Sequence, residues 1–215
     1  MINFFTPLRL VLLAAMAAAL IVGFVLVPAG TELPIHWGFS GEADAFAGRE
    51  VALLLPAAVV AVVWIIFLAI GRFASPRQQE AGRYIAGVSL TALTAIFLAI
   101  EVMLVLIGTG APVNVVQVLA VAFGVLLLVL GNAMPKSQPN SFAGIRMPTT
   151  LRDPANWQAT HRLGGVLAIV GGLILITAAL LVPRQQLIIW LIACVLVPML
   201  VAAGYSLVYA RRHHP

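Results

Sequence analysis

Long apolar runs separated by polar breaks organise this chain. Six runs reach the roughly 20 residues that a helix needs to cross a hydrocarbon core: Leu8–Val27, Val51–Ile70, Tyr84–Ile107, Val113–Ala133, Leu163–Val182 and Leu187–Tyr209. In lipid every backbone amide must be satisfied within its own segment, so the pattern predicts helices. The expected fold is all-α, a polytopic membrane protein whose residues 1–215 form a single membrane domain of six transmembrane helices. Val27-Pro28-Ala29 loosely resembles a signal-peptidase site. The run before it is about 19 residues, longer than the 7–15 of a signal-peptide core, so an uncleaved first helix is expected.

Two of the breaks, Gly108–Pro112 and Pro183–Gln186, have the 2–8 residues usual between packed helices. Two of the remaining three, residues 28–50 and 134–162, are longer and carry Trp, Phe, Pro and Gly, which points to folded modules. In the first, Pro34 restricts Leu33 to extended backbone. Ile35, Trp37 and Phe39 then alternate with His36 and Gly38, the period of a short extended piece. Gly41 permits a turn, and Asp44 can hydrogen-bond nearby backbone. Trp37 and Phe39 suit a membrane interface.

In the second, Pro135, Pro139 and Pro148 are expected to hold the backbone extended, and Gly144 to allow a turn closed to other residues. Asp153-Pro154 reads as a helix start, with Asp accepting from free first-turn amides and Pro at the first helical position. A helix from Pro154 places Trp157 and His161 four apart on one face. Gly164-Gly165 then marks a bend or a close-packing point, and the small residues of spans one and five read as packing surfaces.

Composition fits this picture: 62% hydrophobic, 9% charged and a mean hydropathy of +1.09. A soluble domain carries about 25% charged residues, so that class is excluded. The net charge of +5 fits basic residues flanking spans better than direct nucleic-acid binding. With the N-terminus inside, Arg9, Arg72, Arg77, Arg83, Lys136, Arg146, Arg152, Arg162, Arg211 and Arg212 are cytoplasmic, leaving Arg49 and Arg184 outside. The positive-inside bias therefore predicts that both termini are cytoplasmic. Residues 28–50 become an extracytoplasmic loop module and 134–162 a cytoplasmic cap. Cys194 stands alone in an apolar run and reads as a small buried hydrophobe.

Candidate chemistry is sparse. Glu101 is the acid inside a span, where an ionisable group is a functional hypothesis by default; Asn114 and Gln117 lie at a similar depth as candidate partners. The planar fork of Arg146 could brace the cap through backbone carbonyls or Asp153, anchor on lipid phosphate, or meet a partner. His36 with Glu42 and Asp44 is at most a weak metal pattern, and a packed, hydrogen-bonded loop is the better reading. His161 is expected to bond within the cap, and His213 and His214 to belong to a solvated tail. No nucleophile with its base, phosphate loop or metal spacing stands out, so neither an enzyme nor a cofactor or metal is expected.

At two places the sequence resembles a known family. "GNAMPKSQPNSFAGIRMPTTLRDPANWQATHRLGG", Gly131 to Gly165, is similar to the signature of the SdpI family of bacterial toxin-immunity membrane proteins. "LPIHWGFSGEADAF", Leu33 to Phe46, resembles the small extracytoplasmic module that often precedes it. One departure is Thr149, where family members often carry an aromatic residue. The resemblance implies a multi-pass protein of the bacterial cytoplasmic membrane that protects against a membrane-active peptide toxin. It also implies a route for transmitting toxin presence to a cytoplasmic partner such as a small repressor. Its site residues would be Asn132, Pro135, Asn140, Gly144, Arg146, Pro148, Trp157, His161 and Arg162 in the cap. In the outer loop they would be Pro34, His36, Trp37, Gly41 and Asp44. The alternatives are a small proton-coupled transporter or exporter using Glu101, and a membrane-embedded hydrolase dependent on His36 or His161.

Overall fold

A computed structural model describes residues 2–213 of the chain. Its elements run α1 (Pro7–Leu26), β1 (Glu32–Trp37), β2 (Ala43–Gly48), α2 (Arg49–Phe73), α3 (Pro76–Gly108) and α4 (Val115–Ala133). A 3₁₀ turn (Met134–Lys136), α5 (Pro148–Arg152), α6 (Pro154–Leu181) and α7 (Arg184–His213) complete them. Six of the helices are long and apolar enough to cross a membrane. The protein is thus a mostly helical, six-helix membrane protein, with one small hairpin added.

Helices α1, α2 and α3 pack as one half, α4, α6 and α7 as the other, and the halves meet along α3 and α4. Close approach governs the second half. A Cβ on Gly165 would lie 2.6 Å from the Gly131 carbonyl oxygen, and one on Gly172 would lie 2.6 Å from that of Gly124. These two glycine pairs, seven residues apart on each helix, let the α4 and α6 backbones touch. Lipid supplies no hydrophobic drive between helices, so such van der Waals contact is a main source of cohesion. The glycines of α6 are therefore packing points, and the helix continues through Gly164-Gly165.

Local chemistry moves several boundaries from the apolar pattern. α3 starts about two turns before Tyr84, because Ser75 accepts from the Gln78 amide (3.3 Å) and Pro76 opens the helix. The extended backbone expected at Pro135 and Pro148 is not found. Pro135 lies in the 3₁₀ turn and Pro148 is the first residue of α5, since the fixed φ of proline suits a helical first turn equally well. Asp153 caps α6 as expected, its Oδ1 accepting from the Ala155 amide at 2.8 Å.

Candidate functional site

Two folded modules stand at opposite ends of the bundle. In the first, β1 and β2 form an antiparallel hairpin with Leu33 opposite Ala47 and Pro34 opposite Phe46. The register slips at Ile35, a bulge that shifts the alternation set up by Pro34. Gly41 closes the turn at φ 78°, and a Cβ there would also approach the Arg184 carbonyl at 3.2 Å. His36 Nδ1 and Asp44 Oδ1 bond across the strands at 2.6 Å, both exposed. Glu42 turns away from them to pair with Arg184. Among the described residues no three His, Cys, Asp or Glu side chains gather as a metal group.

The hairpin root and tip serve different halves. Leu33, 1% exposed, packs with Ala52, Leu53 and Leu104 of α2 and α3. Trp37 instead packs against Val116, Ala178 and Leu187, where α4, α6 and α7 converge. With the Glu42–Arg184 pair, the tip of a first-half module thus grips the second half.

The cap, residues 134–153, is built around buried polar side chains whose bonds replace secondary structure. Asn140, 1% exposed, accepts from the Phe142 and Ala143 amides (2.8 and 3.0 Å) and donates to the Gln138 and Ala143 carbonyls. Trp157, fully buried, donates its indole N–H to Ser137 and stacks on His161 with ring centroids 3.9 Å apart. His161 Nε2 accepts from the Ile145 amide at 2.9 Å, which requires the neutral ring with its proton on Nδ1, donated to the Trp157 carbonyl at 2.8 Å. Gly144 sits above these rings at φ 126°, where a Cβ would meet His161 Nε2 at 2.5 Å. Only glycine satisfies both the backbone and the space.

The bracing considered for Arg146 falls to other residues. Arg146 is exposed and has no hydrogen bond or ion pair among the described residues, while its neighbour Ile145 is buried. Thr150 takes the bracing role, donating to the Ile145 carbonyl and accepting from the Met147 amide. Arg162 is also exposed, and Asn132 accepts from Lys136 Nζ at 3.3 Å. Sequence reasoning missed Asn156 and Ser206. Asn156 is fully buried, donates to the Ser206 carbonyl and accepts from Thr160, while Thr149 bonds the Ser206 hydroxyl. Thr149 therefore has a polar partner on α7 where an aromatic ring is usual. The i, i+4 spacing of Asn156 and Thr160 was the available signal.

The cap grips the opposite half in return. Phe142, 7% exposed, lies over Gly82 of α3 and against Phe67 of α2, and Ser141 bonds Gln78. A polar cleft of about 700 Å³ lies between the α3 start and the cap, bordered by Arg77, Gln78, Glu80, Gln138, Arg152 and Gln158. Each end module is thus rooted in one half and locked onto the other.

Glu101 behaves differently from expectation. It is fully buried and neither carboxyl oxygen has a hydrogen-bond partner. Asn114 instead caps α4, and Gln117 donates to the Ala179 carbonyl at 2.9 Å. Similar depth does not give the same facing, and both amides are spent in the second half.

Comparison with known families gives two separate matches, one containing each end module. The model of the SdpI/YfhL protein family matches residues 136–210, from the cap through α7. Over those residues the chain is similar to that family. A domain of unknown function, DUF1648, matches residues 10–60, covering α1, the hairpin and the start of α2. No curated protein and no solved structure matches the chain. The matched SdpI/YfhL region contains Asn140, Gly144, Trp157 and His161, the residues that build the cap.

Proposed function

We propose that this protein is a non-enzymatic immunity and sensing protein of the bacterial cytoplasmic membrane. The hairpin meets a membrane-active peptide on the outer side. The cap presents that state to a cytoplasmic protein at the cleft beside Arg77 and Arg152. The observation that carries this reading is the reciprocal locking: Trp37 and Glu42 hold the hairpin to the second half, and Phe142 holds the cap to the first. A peptide that displaces the hairpin tip changes how the halves sit together, and the cap docks across that same boundary. The exposed Phe39 and Phe46 give the hairpin an apolar face for an amphipathic peptide.

The test is survival of a toxin-sensitive bacterium expressing the chain under challenge with membrane-active peptides. Protection that is lost with Trp37→Ala at equal expression supports the reading. Failure to protect against any such peptide sinks it.

A second reading, a small proton-coupled transporter, draws on the unpartnered carboxyl of Glu101. Glu101→Gln separates the two. Proton-coupled flux in vesicles that disappears in the variant favours transport, while full protection without flux favours immunity.

A further inference from the structure

A further feature of the bundle surface lies outside both end modules. Helices α1, α3 and α4 leave a lateral groove of about 860 Å³ between them. Its floor is made of small side chains, Ala92, Ala95, Ala99 and Ala122, so the hollow is long and apolar. At one end the lining turns basic with Arg9 and Arg83 beside Tyr84, and Lys136 Nζ stands 5.9 Å from the Tyr84 ring centroid.

Arg9 is the second observation. Only 7% of it is exposed, yet no carboxylate pairs with it among the described residues. Its donors go to neutral acceptors: Nε to Thr91 Oγ1 (2.9 Å), Nη1 to the Asn3 and Phe4 carbonyls (2.8 and 3.0 Å), and Nη2 to the Gly87 carbonyl (3.0 Å). Those bonds fix the guanidinium and use four of its five N–H groups, one Nη2–H remaining. A buried cation without a counter-charge is costly. Arg83, one turn before Gly87, is exposed and holds only a loose 3.6 Å pair with Glu80.

We propose that this groove is a site for one anionic phospholipid. The acyl chain lies along the alanine floor, and the phosphate sits at the basic end between Arg83 and the remaining Arg9 donor, with Lys136 flanking it. The lipid supplies the negative charge that the protein withholds from Arg9. It also fills a hollow that would otherwise leave α1, α3 and α4 without contact on one side, so the same molecule cements the boundary between the two halves. The inference is independent of what the hairpin or the cap binds.

The test reconstitutes the full chain in phosphatidylcholine bilayers with a trace of spin-labelled lipid and measures the protein-restricted fraction. Near a membrane each basic residue contributes on the order of 1 kcal/mol, so spin-labelled phosphatidylglycerol is expected to be preferred over labelled phosphatidylcholine by about fivefold or more. Arg83→Gln lowers that preference. Ala95→Phe, which fills the groove at a lipid-facing position, brings it close to unity while the melting temperature stays near that of the parent. Inorganic phosphate does not displace the lipid. Equal restriction of the two lipids by the parent protein, a preference untouched by Ala95→Phe, or displacement by inorganic phosphate would each overturn the proposal.

Discussion

Replacing Gly165 with Ala tests the backbone contact between α4 and α6. The new Cβ would lie 2.6 Å from the Gly131 carbonyl oxygen and 3.0 and 3.1 Å from the Pro135 ring. Ordinary contact begins near 3.4 Å, so the helices must part locally by roughly 0.8 Å, a gap that forfeits a quarter to a half of the dispersion energy across it. Overpacking of this kind costs about 1–3 kcal/mol, and the better helix propensity of Ala returns up to about 1 kcal/mol. The expected net loss is about 1–2 kcal/mol. Gly172→Ala strikes the Gly124 carbonyl oxygen at 2.6 Å, about 10 Å further along α6. Once one site has pushed the helices apart the other is partly relieved, so the double variant should cost less than the sum. Reversible unfolding by sodium dodecyl sulfate in mixed micelles, followed by tryptophan fluorescence, reads these differences. Gly204→Ala on α7 is the control, since nothing lies within 4 Å of its new Cβ. If Gly165→Ala is as stable as this control, the close-contact reasoning is wrong.

Other predictions concern the cap and the buried acid. Gly144→Ala combines a left-handed backbone with a clash against His161, and should destabilise the cap by about 2 kcal/mol or more, measured as faster amide exchange in residues 137–150. His161→Phe keeps the stacking but orphans the Ile145 amide, so a loss of about 1–3 kcal/mol is expected in the same unfolding assay. Glu101→Met removes a buried, unpartnered carboxyl at similar volume and should stabilise the fold by about 1–3 kcal/mol; a loss of stability would reveal a partner. Glu42→Gln breaks an exposed ion pair with Arg184 and should change stability by no more than about 1 kcal/mol.

The spans were legible because a helix in lipid must be both apolar and about 20 residues long, and few other arrangements satisfy that. The Asp153-Pro154 start and the Trp157–His161 face were legible because both depend on neighbours within one turn. The hairpin was half legible. Pro34 and the Ile35/Trp37 alternation marked one strand, but its partner, ADAFAG, is poor in strand-forming residues and is set by pairing alone. Glu101 shows the limit most clearly. Its depth could be read by counting from the span end, but which way α3 turns depends on packing that no local pattern carries. Arg9 likewise read as an ordinary flanking charge, and only the approach of Gly87 and Thr91 makes it a buried one.

The central claim is that the two end modules are coupled because both lock the same boundary between the halves. They are separated by most of the length of α3, about 50 Å for 33 residues. Hydrogen–deuterium exchange on the reconstituted protein tests this directly by comparing the parent chain with Trp37→Ala, which frees the hairpin tip. The account predicts faster exchange at the Phe142, Ala143 and Ile145 amides of the cap, and, reciprocally, faster exchange in residues 38–43 for Phe142→Ala. Changes confined to the substituted end in both variants would contradict it.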